Sequence, residues 1–302
     1  MDRNKQSKII LFLSATLVII LLLLFSNFAK HKPSNSMLKD NFWASKTINN
    51  PINDIVYIGD SRVYRGINPK VIQAVFNNTL VGYNFGFSSA GLSPNFIIEG
   101  VKKLNPKGKK ILMVGVSANS FYSKSLQNEH FNEILNTPKK DLWVKKHIYP
   151  YISGLCSYSL SDIINVGSRK SYYENFYFES GFVSSCKFPI DTNSALKSYE
   201  NHLKTDHIDT ANIGELLTTF EQLKTQGYKI IFTRVPASFS MFQLEDKFSQ
   251  SIIQNFEEKT KALGSKWIEH RPTQKTYDGS HLIDEYSIQY SKDIAQALKI
   301  LK

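Results

Sequence analysis

The sequence holds 302 residues, of which 42% are hydrophobic, and carries a formal net charge of +11 at pH 7. This length and hydrophobic content allow one large packed domain or two small ones and exclude a disordered tail. The lysines are scattered in pairs such as Lys102-Lys103, without a recognisable nucleic-acid-binding motif. We therefore expect no nucleic-acid partner and interpret the charge as a solvated surface, or one that faces an anionic membrane or wall polymer.

The N-terminus contains an uncharged apolar run from Ile9 to Phe25, preceded by basic residues. A membrane-spanning helix needs about 17 to 25 apolar residues, so this run lies at the short end of that class and overlaps the longest signal-peptide cores. Cleavage after Ala29 would place the bulky polar Asn27 at a position that prefers a small residue. We therefore favour an uncleaved, single-pass transmembrane anchor within residues 1–29, with the basic N-terminus in the cytoplasm and the rest of the chain outside.

Residues 30–53 are polar, contain two prolines and are predicted to form a tether. The chain has two cysteines, Cys156 and Cys186. An extracytoplasmic location would permit a disulfide between them, and two free, half-buried thiols are the alternative. Their spacing indicates no metal site.

Residues 54–302 alternate apolar, strand-like runs with segments of helical periodicity. The predicted strands are Asp54–Ile58, Leu80–Phe85, Lys110–Val116, Lys229–Val235 and a short strand near Trp267. One helical segment begins at Pro69, after the cap residue Asn68, and a later one ends at Gly227. Two more segments of helical periodicity lie at 242–264 and 285–301. This alternation indicates an α/β domain whose parallel sheet is covered by helices on both faces.

A long segment at about 121–213 interrupts the alternation. It is rich in aromatic residues, as in "SYYENFYFES", and its pattern assigns little secondary structure. An insertion of this size in an α/β domain is typical of a lid, a partner surface or a substrate cleft. A helical elaboration without a direct role is the alternative.

Ser61 lies in the stretch "IVYIGDSRVYRGINP", where a predicted strand runs into Gly, Asp, Ser and Arg. Gly-Asp-Ser is a common way to end a strand, because Gly tolerates unusual dihedral angles and Asp and Ser bond their own backbone. The stretch alone therefore favours an ordinary turn serine over a displayed nucleophile.

Three further segments change that interpretation. If the sheet has the strand order 2-1-3-4-5, the loops after its first and third strands face each other, which brings Ser61 near Asn119. The second strand ends in "YNFGFSSAG", whose small residues let backbone N–H groups approach a bound oxygen. In "TYDGSHLIDEY", the spacing of Asp278 and His281 can place the carboxylate beside one imidazole nitrogen and leave the other facing a serine.

The blocks "IGDSR", "NFGFSS", "VGVSAN" and "DGSHL" occur in this order, and together they resemble the four motifs of the SGNH (GDSL-type) hydrolase superfamily. The resemblance covers residues 54–302 apart from the insertion. It implies a three-layer α/β/α sandwich with a five-stranded, flavodoxin-like parallel sheet of order 2-1-3-4-5. It also implies that Ser61 is the nucleophile, His281 the base and Asp278 the group that orients the base. The oxyanion hole would comprise Asn119 and the backbone N–H groups of Ser61 and Ser89.

Two positions depart from the family pattern. Ser89 stands where the second motif usually has glycine, so the donor there would be the backbone N–H of a serine. The third motif usually reads Gly-x-Asn-Asp, whereas Asn119 is followed by Ser120. Both changes are compatible with an oxyanion hole, which needs a donor at a position and not a particular neighbour.

Other candidate residues have weaker support. Arg62 and Arg65 flank the serine, either as surface charges or as contacts to an anionic substrate. Asp60 with a distant histidine makes a poor metal-ligand set, so we expect no metal and no cofactor. The remaining histidines have no partner at a recognisable spacing and are predicted to lie on the surface or in loops: His130, His147, His202, His207 and His270.

These residues fit a serine-dependent O-acyl esterase or acyltransferase that forms an acyl-enzyme on Ser61. An anchored, extracytoplasmic member would meet an acylated carbohydrate or cell-wall polymer such as exopolysaccharide, teichoic acid or peptidoglycan. A membrane acyltransferase is a candidate partner, because the arrangement of one anchor and one exported domain is similar to that of acyl-transfer proteins of the cell envelope. A non-catalytic scaffold that presents the aromatic insertion to such an acyltransferase is the alternative from another class.

Overall fold

The computed structural model describes residues 3–29, 35–148, 171–269, 272–273 and 275–300. A five-stranded, all-parallel sheet lies at its centre, with the order β3-β2-β4-β7-β8. Its strands are β2 (Ile55–Ile58), β3 (Gly82–Asn84), β4 (Ile111–Val116), β7 (Lys229–Arg234) and β8 (Lys266–Ile268). Numbered within this sheet, the order is 2-1-3-4-5, which confirms the predicted topology.

Both faces of the sheet are buried, which explains why its strands are short continuous apolar runs. Val56 and Ile58 pack into one core, while Ile55 and Tyr57 point into the other. Nine of the helices are α2 (Lys39–Thr47), α3 (Ser61–Gly66), α4 (Pro69–Val75), α5 (Pro94–Val101), α6 (Ser123–Leu126), α7 (Glu129–Leu135), α8 (Lys139–His147), α9 (Leu196–Thr205) and α10 (Thr210–Thr225). The chain ends with α11 (Phe239–Ala262) and α12 (Asp284–Ile300). The predicted α/β domain with helices on both sides is confirmed.

The helix ends follow the capping residues that the sequence offers. Asn68 caps α4 by accepting a hydrogen bond from the Lys70 backbone N–H, and Pro69 takes the first helical position. Gly227 follows α10 with a φ of 83°, a left-handed conformation that glycine adopts without strain. These local signals set the entry to α4 and the exit from α10.

The N-terminal segment forms a helix, α1 (Arg3–Ala29). Ile10 and Leu11 on this helix are exposed. Among the residues whose side chains the structure describes, no helix is long and apolar enough to cross a membrane. The transmembrane anchor therefore stays a prediction.

Residues 35–53, which the sequence predicts to be part of a tether, contain secondary structure that packs against the domain. A two-residue strand, β1 (Ser36–Met37), precedes α2. Phe42 and Trp43 on α2 join the larger core, where Phe42 is fully buried. The reason is that its aromatic residues turn inward, together with Lys46, whereas Lys39 and Asp40 are exposed. The helix α2 is therefore packed into the core, and the role of residues 30–53 as a tether stays a prediction.

The insertion contains a 3₁₀ helix (Ala118–Phe121) at its start, the helices α6 to α9, and a β-hairpin of β5 (Tyr172–Phe178) and β6 (Val183–Phe188). The hairpin pairs with β1 in a second, antiparallel sheet of order β1-β5-β6. Cys186 on β6 is a half-buried free thiol. Cys156 lies outside the described residues, as does His270.

Candidate active site

Ser61 is the first residue of α3 and directly follows β2. Asp60 precedes it as the cap of the helix, and its carboxylate accepts a hydrogen bond from the Arg62 backbone N–H at 2.9 Å. Ser61 is 9% exposed, so the surrounding loops cover most of its surface. A strand that ends in a capped helix holds the serine at the carboxyl edge of the sheet, where ligands bind in open α/β folds.

Direct hydrogen bonds join the loops that follow β2, β3 and β4. The Ser117 hydroxyl, after β4, donates to the Asp60 carboxylate at 2.8 Å. The Phe87 backbone N–H, after β3, donates to the Gly59 carbonyl oxygen at 3.0 Å. These bonds bring the first three sequence blocks together at one edge of the sheet, as the strand order requires.

His281 and Asp278 lie in the loop before α12 and complete the group. The His281 Nε2 atom is 2.8 Å from the Ser61 Oγ atom, and the His281 Nδ1 atom is 2.8 Å from the Asp278 Oδ2 atom. Gly279 has a φ of 95°, and a Cβ there would collide with the Thr192 carbonyl oxygen. The tight turn that joins the two side chains therefore needs glycine at this position.

The protonation states follow from the surroundings of the pair. Burial raises the pKa of Asp278, but hydrogen bonds from His281 and from the Ser280 and His281 backbone N–H groups bring it down to about 2. Burial lowers the pKa of His281 below its usual value, against the raising effect of Asp278. An ionised Asp278 can only accept, so Nδ1 of a neutral His281 is the donor. Nε2 is then free to accept from the Ser61 hydroxyl.

The two remaining oxyanion-hole candidates, Ser89 and Asn119, line one cavity together with Tyr64 and Arg65 of α3, the helix that Ser61 begins. Ser89 has a φ of 52°, the left-handed conformation that favours glycine. Glycine adopts this conformation without strain, and this chain adopts it with a serine. Asn119 lies in the 3₁₀ helix and is 9% exposed, which fixes its amide at the cavity wall.

Arg62 does not lie where a substrate could contact it, so its tentative assignment to substrate binding is corrected. Its side chain is 1% exposed, and its Nη2 atom lies 2.6 Å from the Glu245 carboxylate. Its Nε atom also donates to the Ser280 hydroxyl at 3.0 Å. Glu245 in turn lies 3.0 Å from Arg234. Arg62 therefore ties the nucleophile helix to the loop that carries Asp278 and His281.

Arg65 lies on the wall of the cavity, and its contact with an anionic substrate stays a prediction. It donates to the Tyr277 hydroxyl, and the Tyr277 ring stacks on His281 with the ring centres 5.6 Å apart. Both arginines lower the pKa of His281, Arg65 more than Arg62. The guanidinium of Arg65 is therefore electrically coupled to the base.

The cavity has a volume of about 810 Å³ and includes residues that sequence reasoning did not select. His130 and His202, predicted to be surface or loop residues, are half-buried parts of its wall. His130 packs against Trp43 with ring centres 4.3 Å apart. The contacts of His130 with Trp43 and of His202 with Ser125 join residues far apart in the chain, so local spacing does not reveal them.

Lys46 on α2 is fully buried behind the loop that carries Ser89. Its ammonium donates to the Gly86 carbonyl oxygen at 2.5 Å and lies within 5.5 Å of the ring centres of Phe42, Trp43, Tyr64 and Phe87. Burial lowers the pKa of Lys46 well below its usual value. In the described part of the chain, no cluster of three His, Cys, Asp or Glu side chains could hold a metal ion.

Comparisons with known proteins give matches among solved structures. No protein-family model matches the sequence, and no curated protein matches it. A proposed acylhydrolase from Bacteroides fragilis is similar at 12% identity with a TM-score of 0.40, covering 90% of this chain and 99% of that chain. An aryl esterase from M. smegmatis aligns at 8% identity with a TM-score of 0.39, covering 82% of this chain and 99% of that chain.

A carbohydrate acetylesterase from Sinorhizobium meliloti aligns at 11% identity with a TM-score of 0.36, covering 82% of this chain and 99% of that chain. At such identities and TM-scores, none of these matches carries an argument about chemistry. The central sheet of this chain has the strand order 2-1-3-4-5, and its four sequence blocks meet at one edge of that sheet. In these features the chain resembles the SGNH (GDSL-type) hydrolases.

Proposed function

We propose that this protein is a serine esterase of the SGNH kind that forms an acyl-enzyme on Ser61. The observation that carries the proposal is the continuous chain of hydrogen bonds from Ser61 through His281 to Asp278, with both heavy-atom distances at 2.8 Å. Such a chain activates a serine, because the imidazole can take the hydroxyl proton while the carboxylate stabilises the imidazolium that forms.

The reaction follows from the positions of these atoms. Ser61 Oγ attacks the acyl carbonyl carbon as its proton moves to His281 Nε2. The carbonyl oxygen becomes an oxyanion, held by the Asn119 amide and the backbone N–H groups of Ser61 and Ser89. The intermediate collapses, and the leaving alcohol takes the proton from His281. Water or a sugar hydroxyl then attacks the acyl-enzyme with His281 as base, which gives hydrolysis or transfer respectively.

The substrate is proposed to be an acylated glycopolymer of the cell envelope, such as exopolysaccharide, teichoic acid or peptidoglycan. The uncharged run from Ile9 to Phe25 and the basic residues before it support an anchored protein whose domain is outside the cytoplasm. The net charge of +11 suits a surface that faces anionic polymers. A membrane acyltransferase would be the source of acyl groups if the reaction is transfer.

The proposal is tested with the purified full-length protein and p-nitrophenyl acetate. The wild type should release p-nitrophenolate, and a fluorophosphonate probe should label Ser61. Ser61→Ala should lose both, because no other group supplies the nucleophile. The exposed Ser251 on α11 offers a matched control, since Ser251→Ala should leave turnover and labelling unchanged.

Two outcomes would contradict this function. Turnover that survives Ser61→Ala would show that another group carries the reaction. A folded wild-type protein that consumes no ester and takes no fluorophosphonate would favour the non-catalytic scaffold, in which the insertion meets a partner acyltransferase.

A further inference from the structure

Arg65 is a cation on the cavity wall for which the described residues supply no carboxylate partner. Its Nη1 atom donates to the Tyr277 hydroxyl at 2.5 Å, and its guanidinium lies 5.2 Å from the Tyr64 ring centre and 5.8 Å from that of Tyr173. Its Nε atom is buried and has no hydrogen-bond partner among the described residues. Removing a guanidinium from water without a counter-ion is unfavourable, so this site is suited to an anion from outside the chain.

Arg62, three residues earlier on α3, provides an internal comparison. It is the more buried of the two and forms an ion pair with Glu245, which also contacts Arg234. Its charge is therefore balanced within the protein. Arg65 has tyrosines where Arg62 has a carboxylate, and it borders the cavity. The two arginines on one helix thus serve different purposes.

The cavity wall around Arg65 is positively charged. Lys39 on α2 and Lys124 on α6 line the cavity with Arg65, and both lysines are exposed. Neither lysine has an ion-pair partner among the residues that the structure describes. Glu129 is the acidic residue on this described wall. Three cations against one carboxylate raise the local concentration of an anionic ligand and favour its binding.

The uncharged part of the wall suits a carbohydrate. Trp43, Tyr64 and Tyr177 line the cavity, and such rings offer an apolar face together with a polar edge. Asn175 and Gln127 add side-chain amides that both donate and accept hydrogen bonds. The volume of about 810 Å³ falls within the range of roughly 300 to 1,000 Å³ for small-molecule sites.

We infer that this cavity binds the sugar part of an anionic acylated carbohydrate, with Arg65 holding a carboxylate or phosphate group and Lys39 and Lys124 adding long-range attraction. The inference rests on the proposed function and narrows its substrate class. Ser89 and Asn119, the candidate donors to the oxyanion, border the same cavity, and Arg65 lies one helical turn after Ser61 on α3, so an ester bound at Ser61 would lie beside this positive region. Arg65 is then the residue that determines specificity, while Ser61 and His281 perform the chemistry.

The test compares three methyl glucosides acetylated at the same three ring hydroxyls. The three compounds differ only at the exocyclic C6 position, which bears a free hydroxyl, is a carboxylate, or bears a phosphate. The acetate that the full-length protein releases from each is measured. A charged hydrogen bond should raise kcat/KM for the anionic esters by about 10- to 100-fold over the neutral ester. The ratio between the carboxylate and phosphate esters identifies which anion the site takes.

Arg65→Gln should remove most of this preference and should act chiefly by raising KM for the anionic esters, so that kcat/KM falls further for these esters than for the neutral ester. Arg65→Lys should restore part of the preference, since lysine keeps the charge without the fork of donors. Lys124→Gln, on an exposed side chain that cannot disturb the core, should lower the preference in the same direction. Lys70→Gln, on exposed Lys70 of α4, should leave it unchanged.

The inference is overturned if the wild type treats the three esters alike, prefers the neutral ester, or hydrolyses p-nitrophenyl acetate and none of the sugar esters. It is also overturned if Arg65→Gln lowers all rates by the same factor, because that result assigns Arg65 to the positioning of Tyr277 and His281. These outcomes differ from a failure of the proposed function, in which p-nitrophenyl acetate itself is not consumed through Ser61.

Discussion

At the residue scale, the contact between Asp278 and His281 determines which imidazole nitrogen is free to act. Asp278 is ionised at neutral pH because the hydrogen bonds from His281 and from two backbone N–H groups stabilise its charge. An ionised carboxylate can only accept, so it selects the tautomer of His281 with a proton on Nδ1. The consequence is that Nε2 faces Ser61 with its lone pair, as a base requires.

This contact predicts a pH dependence. Wild-type kcat/KM for p-nitrophenyl acetate should rise with pH through the pKa of His281, and the midpoint should lie below 6.5 because burial disfavours the imidazolium. Asp278→Asn removes the group that raises this pKa, so the midpoint should move to still lower pH. The amide also fails to hold the productive tautomer, so kcat should fall on the order of 10⁴-fold.

The pH profile of both proteins measures this prediction, with Asp293→Asn on an exposed side chain of α12 as the control. A variant whose midpoint moves to higher pH would contradict it. So would a wild-type midpoint above the ordinary value for histidine.

Some site residues could be predicted from the sequence and others could not. Local residues indicate Ser61, which begins α3 directly after its cap Asp60, and Asp278 and His281, which flank Gly279 in a tight turn. Arg62 was misassigned because its partner, Glu245, lies 183 positions away on α11. Nothing in the local sequence distinguishes a paired arginine from a free one.

At the element scale, α2 joins the core and the active-site cavity. The Phe42 ring centre lies 5.1 Å from that of Tyr177 on the hairpin of the insertion, and Lys46 supports the Gly86 carbonyl oxygen behind Ser89. Trp43 and Lys39 form part of the cavity wall. This helix therefore connects the segment before the first central strand with the insertion and with the loop that carries Ser89.

Phe42→Ala tests this role, because a spacer would tolerate the change. Phe42 is fully buried, and loss of its ring should lower the free energy of unfolding by about 3 to 5 kcal/mol. Ile52 is 58% exposed in the same segment, so Ile52→Ala should change that free energy by less than about 0.5 kcal/mol. Urea unfolding followed by circular dichroism measures both. Equal free energies of unfolding for the two variants would indicate that the segment is a tether.

The elements that the sequence predicted well are those whose signals are local. The central strands are continuous apolar runs, and α4 begins at a cap residue followed by proline. The element missed in the predicted tether, α2, is short and polar on average, and its buried aromatic residues find their partners far along the chain. The pairing of β1 with the hairpin of β5 and β6 was missed for the same reason, because it is a long-range contact.

At the scale of the whole molecule, the strand order decides where the site can form. Parallel strands in the order 2-1-3-4-5 place the loops after β2 and β4 side by side, and the hydrogen bond between Ser117 and Asp60 fixes that pairing. The insertion and α2 then surround the same edge with aromatic and cationic side chains. The loops at the carboxyl edge of the central sheet hold Ser61, Asp278 and His281, whereas the insertion and α2 supply most of the cavity wall.

The position of the domain relative to the membrane is the last prediction. The run from Ile9 to Phe25 has no charge and follows Arg3, Lys5 and Lys8, which should keep the N-terminus in the cytoplasm. We expect the full-length chain to stay with membranes after an alkaline carbonate wash. Protease added to intact spheroplasts should then digest the domain, while a cytoplasmic marker stays intact until lysis. Protection of the full-length chain would contradict this orientation, and release by carbonate would contradict the anchor, because a spanning helix is not removed by disrupting charge contacts.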